Sequence, residues 1–167
     1  MPSRDVLVLE DYLPYRLALL SGQIGLTGAR LYRQYFGFGL REWRIVAVLG
    51  PEDERSLSDL SRLAKIDTGT ATRALATLYE NGMVEKRDDG EDQRKVQFKL
   101  AKKGIETYKR VVAGALEREA LLTEALSAKD RKELLRLLEL LEVQALKLET
   151  FDPYAADHLP SDGSVSS

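Results

Sequence analysis

Between Thr68 and Thr77 the chain reads TGTATRALAT, four threonines and one arginine within ten residues. Threonine is a poor helix former, and a solvent-facing helix would ordinarily carry Glu and Lys at such positions. Short hydroxyls and a guanidinium fork suit nucleic acid instead. The fork matches a guanine edge, and threonine meets a thymine methyl or a phosphate. Thr68, Thr70, Thr72, Arg73 and Thr77 are therefore candidate DNA contacts, set against the plainer reading of a surface helix of weak propensity. A second set follows in the charged stretch DDGEDQRK, residues 88–95. An acidic loop reads a minor groove poorly by charge alone. Asp92, two residues before Arg94, has another use, because a carboxylate there can bond the arginine and aim its head into the groove. Lys95 stands next to it, and Arg87 on the preceding run is a candidate for holding a phosphate. The plainer reading of this loop is a solvated hairpin tip.

These residues need elements to present them. Leu57, Leu60, Leu63 and Ala64 mark a short helix capped by Ser56 and ended by a polar turn. Asp67 or Thr68 caps a fourth helix that runs to about Glu80, with Asn81-Gly82 as its stop. The runs Met83–Arg87 and Lys95–Leu100 are of β type and flank the charged loop. Helix, turn, helix and hairpin together put one helix in a DNA groove and a loop beside it. Upstream, Asp11–Phe36 is predicted as a long helix, with Asp11 as cap and Pro14 in the first turn. Its apolar stripe is Leu13, Leu17, Leu20, Ile24, Leu31 and Tyr35. Gly22, Gly25 and Gly28 weaken it by about 1 kcal/mol each relative to alanine, and suit a close approach, a bend or room for a ligand. Leu40–Leu49 forms a second helix with Leu40, Trp43, Val46 and Ala47 inward and Leu49 a further candidate for that face, stopped by Gly50-Pro51.

Downstream, helices are predicted over Ala101–Leu126 and Ala128–Thr150, broken near Ser127, which caps the second. Leu134, Leu138, Leu141, Ala145 and Leu148 form a heptad seam. Leu135, Leu137, Leu140 and Leu146 widen it beyond what one neighbour covers, so a partner subunit is the natural cover. The fold class is mainly α with a small β-wing. A winged helix-turn-helix (37–104) is flanked by N-terminal (1–36) and C-terminal (105–150) dimerisation helices, and 151–167 read as a disordered tail.

Composition narrows the function. The 167 residues include no cysteine and a single histidine, His158, which excludes disulfides and thiolate metal sites and disfavours a histidine-built one. No glycine-rich phosphate loop follows a strand and no cysteine nucleophile exists, so an enzyme, a cofactor and a metal are not expected. No signal peptide is seen, and nothing approaches the roughly 18 uninterrupted apolar residues of a membrane span. The expected location is cytoplasmic, without a membrane partner. A formal net charge of −2 is unlike a nonspecific nucleic-acid coat. From Ser56 to Gly104, however, ten Lys/Arg oppose eight Asp/Glu, a small local positive excess. The alternative use of such a unit is a winged-helix protein-interaction module.

The segments REWRIVAVL, LSDLSRLAKIDTGTATRALATLYENGMVEKR and DQRKVQFKLAKKG together resemble the MarR family of bacterial transcriptional regulators. Asp92-Gln93-Arg94 matches that family's Asp-x-Arg wing signature. The stretch from Leu78 to Arg87 matches its Leu-Glu-x-x-Gly-x-Val-x-Arg pattern with one residue inserted. The resemblance covers Phe36 to Gly104 closely and the flanking helices by layout. It implies a homodimer that binds a palindromic double-stranded DNA operator, one winged helix per half-site, in most cases as a repressor. It also implies a small anionic effector, often an aromatic carboxylate, held between the dimerisation helices and the winged helix. Arg16, Ser21, Gln23, Tyr35 and Trp43 are the expected lining, with Arg41 near the mouth. Arginine would pair the carboxylate and the rings would stack, although Trp43 and Tyr35 also suit a core and Arg16 a solvated surface. The stretch FGLREWRIV is similar to regulators of aromatic-acid degradation, some of which sense CoA thioesters. Two departures are Ala101, where the family usually has Thr or Ser as a helix cap, and the acidity of the wing.

Overall fold

The computed structural model describes residues 6–51, 53–87 and 96–155. Its first helix, α1 (Leu13–Phe36), begins at Tyr12, which supplies no side-chain cap, with Pro14 in the first turn. Asp11 is not the cap: its own N–H donates to the Val8 carbonyl in the turn before the helix. Gly37 ends α1 in the left-handed region (φ 73°), which its missing Cβ permits, and its N–H donates to the Arg33 carbonyl. The predicted apolar stripe is exposed at Leu13, Leu17, Leu20, Ile24 and Tyr35, whereas Gly28 and Tyr32 are buried. A Cβ on Gly25 would sit at ordinary contact distance from Leu40 of the next helix, so the small residue marks where α1 meets α2.

Helix α2 (Leu40–Leu49) starts where the Gly39 N–H donates to Glu42 Oε2 at 2.8 Å. Its buried residues are Ile45, Val46 and Leu49; Val46 and Leu49 fall on the predicted face, whereas Ile45 was not expected inward and Ala47 is exposed. The reason is that α2 has neighbours on two sides. Leu40 and Trp43 pack at the edge of the core beside α1. Ile45, Val46 and Leu49 join Leu60, Leu75 and Leu78 at its centre.

Helix α3 (Leu57–Ala64) is capped by Ser56, whose Oγ accepts from the Asp59 N–H. Lys65 takes a left-handed conformation (φ 54°), the Ser61 hydroxyl donates to the Ile66 carbonyl, and three residues later α4 (Thr68–Glu80) begins. Asp67 caps α4 by accepting from the Thr70 N–H at 2.8 Å. Ala71, Ala74, Leu75 and Leu78 bury one side of this helix.

Three short strands follow the order β1-β3-β2, all antiparallel. β2 (Val84–Arg87) pairs with β3 (Gln97–Leu100) so that Val84 lies opposite Leu100 and Arg87 opposite Gln97. β1 (Arg55–Ser56) was not expected from the sequence. Two residues carry no periodicity, and they become a strand only because the segment before α3 lies along β3. Helix α5 (Lys102–Leu122) follows at once. Its Ala101 start has no side-chain cap to offer, but the Ala101 N–H donates to the Met83 carbonyl at 2.9 Å. Gly104 rests on that same carbonyl, so close that a Cβ there would collide with backbone.

By packing, the chain divides into two units that meet between Leu116 and Glu117. In the second, α5 stops at Leu122, short of the predicted Leu126. Ser127 caps α6 (Ala128–Ala145) in a reciprocal box with Asp130. The last predicted turns are a 3₁₀ segment, Leu146–Glu149. Helix α6 buries none of its residues.

The Gly104 contact gives a direct test. Gly104→Ala should destabilise the protein by about 1–3 kcal/mol or more, since the obstacle is backbone and cannot swing away. Urea denaturation followed by circular dichroism measures it.

Candidate nucleic-acid interface

The packing of α4 decides which of its side chains are on offer. With Thr70, Ala71, Ala74, Leu75 and Leu78 inward, the opposite face carries Thr68, Gly69, Thr72, Arg73, Ala76, Tyr79 and Glu80, all exposed. Gly69, Thr72 and Ala76 succeed one another at helical spacing near the middle of that face. They are small, so the helix axis can come close to an opposing surface. Arg73 flanks them on one side, and Thr68 and Tyr79 on the other.

The five residues singled out on this helix therefore have different fates. Thr68, Thr72 and Arg73 lie on the open face. The Thr72 hydroxyl donates to the Thr68 carbonyl at 2.8 Å, which leaves its methyl and oxygen lone pairs outward. Thr77 is half-buried and donates to the Arg73 carbonyl at 3.2 Å. Thr70 is 8 % exposed, and its hydroxyl accepts from Arg73 Nη2 at 3.0 Å. It is thus turned away from any groove, as expected for position i+3 from the cap with its N–H already bound by Asp67. Gly69, Ala76 and Tyr79 were not singled out. Their signal was available in the helical phase once Ala71, Ala74 and Leu78 are taken as the buried stripe.

At the wing, Arg87 Nη1 lies 3.4 Å from Glu54 Oε2, both side chains exposed, so this cation shares its charge with a neighbouring acid. Lys99 pairs across the strands with Glu85 at 3.5 Å. Asp92, Arg94 and Lys95 fall outside the described residues, as does His158. Lys103 Nζ donates to the Asn81 carbonyl at 2.8 Å, tying α5 to the end of α4.

Most of the residues expected around an effector are exposed on the described surface. Arg16, Ser21 and Gln23 on α1 are exposed, Tyr35 is 60 % exposed, and Arg41 is exposed on α2. Trp43 packs on Tyr32, ring centroids 5.6 Å apart, and Tyr32 in turn lies 6.4 Å from Phe38. Phe36 stacks on Phe38 at 5.8 Å and carries Arg110 over its face at 5.3 Å. The aromatic group around Trp43 is thus built by Tyr32, Phe36 and Phe38 rather than by Tyr35. The cause is the rotation of α1, which turns Tyr32 inward and Tyr35 outward. An open groove of about 490 Å³ lies elsewhere, between Pro51, the strands at Glu85 and Lys99, and Lys102, Ile105 and Lys109 of α5. None of the expected effector residues lines it. Among the described residues no cluster of His, Asp or Glu could hold a metal, and no helix is long and apolar enough to cross a membrane.

Residues 39–96 match the family model described as MarR family. The regulator FarR of Neisseria gonorrhoeae is 30% identical over 101 residues, 60% of this chain and 67% of FarR. The chain belongs to the MarR family. The repressor IacR of Pseudomonas putida is 26% identical over 149 residues, 89% of this chain and 87% of IacR. The crystal structure of a MarR/EmrR-family regulator from Acinetobacter sp. ADP1 superposes with a TM-score of 0.75 at 26% identity, covering 84% of this chain and 99% of that one. As a MarR-family member the protein is a DNA-binding transcriptional regulator and not an enzyme. In its winged helix-turn-helix, α3 and α4 are the two helices of the motif and β2 and β3 the strands of the wing.

The caps that hold this motif titrate in acid. Hydrogen bonds from the Thr70 side chain and backbone hold the Asp67 carboxyl below its usual range, and Arg62 and then Ser56 do the same for Asp59. A carboxyl with a lowered folded-state pKa stabilises the fold above its ordinary value of 3.8 and loses that contribution as pH falls through the folded value. Acidification below about pH 4 should therefore lower the melting temperature. Asp67→Asn, which can still cap, should melt near wild type at neutral pH but with a shallower acid slope. Calorimetry across pH 2.5–7 checks both, and an unchanged slope would count against the cap as the titrating group.

Proposed function

We propose that the protein is a homodimeric repressor whose two winged helices bind the half-sites of a palindromic operator and release it when a small anionic effector binds. The observation that carries the reading is the open face of α4. A helix fixed by its buried side presents glycine, alanine and threonine at its centre and Arg73 at its edge, a surface low enough to enter a major groove and equipped to read it. Thr68, Thr72 and Arg73 are assigned to base edges and adjacent phosphates, with Thr77 at the margin. Arg87 is assigned to a backbone phosphate, reached by exchanging Glu54 for it. Asp92, Arg94 and Lys95 are assigned to the wing's approach to the minor groove on the resemblance alone.

Dimerisation rests on a different surface. Helix α6 exposes Leu134, Leu135, Leu137, Leu140 and Leu141, and α1 exposes Leu13, Leu17 and Leu20. Apolar surface on this scale is the mark of an interface. Residues 1–36 and 105–150 are accordingly assigned to the dimer, and 37–104 to DNA. The repressor role is supported by the likeness to IacR over most of both chains. The effector is assigned to the space a second copy would complete around Arg16, Ser21, Gln23 and Arg41. It is taken to be an aromatic carboxylate or its CoA thioester, because a guanidinium would pair a carboxylate and an aromatic side chain would stack on a ring.

DNase footprinting on the promoter region next to its own gene should show a protected palindrome with half-sites about one DNA turn apart. Arg73→Ala should weaken that binding by roughly ten- to hundredfold, the worth of one good bidentate base contact. Leu141→Glu should sediment as a monomer and lose about a hundredfold in operator affinity, since two half-sites then no longer act together. A stable monomer in the wild type, or no protected palindrome, would overturn the proposal.

A further inference from the structure

We propose that Thr70 is a positioning residue for sequence reading: its buried hydroxyl anchors one edge of the Arg73 guanidinium, so that the other edge is presented to DNA in a set orientation. This rests on the reading that α4 enters the major groove, and extends it to a residue that DNA does not touch.

Thr70 is the one polar residue buried in the core among the described residues. A hydroxyl removed from water is retained at a cost unless it is hydrogen-bonded. Its bonds here run outward along α4. Arg73 Nη2 donates to Thr70 Oγ1 at 3.0 Å, and the Thr70 N–H donates to Asp67 Oδ1 at 2.8 Å. The hydroxyl thus accepts from the guanidinium one turn beyond the carboxylate that caps the helix, and Thr70 holds that carboxyl below its usual range.

Gly69 makes room for this arrangement. A Cβ there would come within 3.2 Å of Asp67 Oδ1 and 3.6 Å of Arg73 Nη1, in the space over which the guanidinium folds back toward the cap. Arginine carries five N–H donors in a rigid planar fork. Fixing one Nη2 donor fixes the plane, and the Nε and Nη1 donors then point as a unit. A long side chain on an exposed helix face otherwise samples many rotamers, all but one of which are lost on binding. Anchoring it beforehand lowers that loss for the matching base pair and leaves nonspecific phosphate contact, which needs only charge, unaffected.

The test uses the full-length chain with the duplex it enriches from a randomised pool, and unselected random duplex as the nonspecific probe. Thr70→Val keeps the shape and removes the hydroxyl, and Thr70→Ser restores it. Thr70→Val should bind the enriched duplex about tenfold more weakly with random-duplex affinity unchanged, and Thr70→Ser should recover most of the loss. In an Arg73→Ala background Thr70→Val should have no further effect. A loss shared by both duplexes, or one that persists without Arg73, would mean a merely structural role and overturn the proposal. So would an unchanged ratio. A second measurement needs no DNA: nitrogen-15 NMR of the Arg73 guanidinium should show hindered rotation about Cζ–Nη2 in wild type and averaging in Thr70→Val. Identical spectra would overturn the anchoring. Failure of the wild type to enrich any duplex would instead tell against operator binding, with the NMR comparison still deciding the anchor.

Discussion

The backbone of Met83 is where the DNA-binding unit is tied together. Its N–H donates to the Leu78 carbonyl at the end of α4, and its carbonyl accepts from Ala101 as β3 gives way to α5. Gly104 packs against that carbonyl from the first turn of α5. The backbone of this one residue thus fixes the end of α4, the base of the wing and the start of the long helix that leaves the motif. Lys103 adds a second tie from α5 to the Asn81 carbonyl. α5 is thus joined to the segment that ends α4 at two points, the Met83 carbonyl and the Asn81 carbonyl, the kind of link the proposed effector response would need.

The DNA-facing surface is governed by burial more than by the residues that form it. The inward face of α4 is small and apolar, so the helix lies tightly against α2 and α3. What remains outside is a stripe of glycine, threonine and alanine with an arginine at its flank. Charge contributes little: Arg87 is shared with Glu54, and the chain as a whole is slightly acidic. A long-range attractive field is therefore a weak source of DNA affinity for this chain, which is what the proposed pairing of half-sites would make up for.

Much of the motif was legible because its signals are local. Ser56, Asp67 and Ser127 each cap the helix their types and positions announce, and the α2 and α4 boundaries follow from Gly39, Gly50 and Asn81-Gly82. Each such signal involves groups a few residues apart, so it acts before tertiary packing does. Other features were illegible for the opposite reason. The strand Arg55–Ser56 exists only because β3 lies beside it. Ala47 looks like a core residue on an isolated helix and is exposed on this one, and Tyr35 yields its expected place to Tyr32. Asp11 has the chemistry of a cap one residue too early.

The sequence by itself determined the order of the helices and of the hairpin, the caps at Ser56, Asp67 and Ser127, the winged architecture and its family, since those depend on spacing and side-chain type along the chain. Tertiary structure alone decided which threonines of α4 are exposed and which is buried. It also decided which aromatics meet around Trp43, and where Gly104 is indispensable. The physical reason is rotation. A helix of given sequence has one set of stripes, but which stripe is buried depends on how many neighbours it has and where they lie. α1 buries Tyr32 in place of Tyr35, and α2 buries Ile45 and exposes Ala47, because of where their neighbours in the core lie.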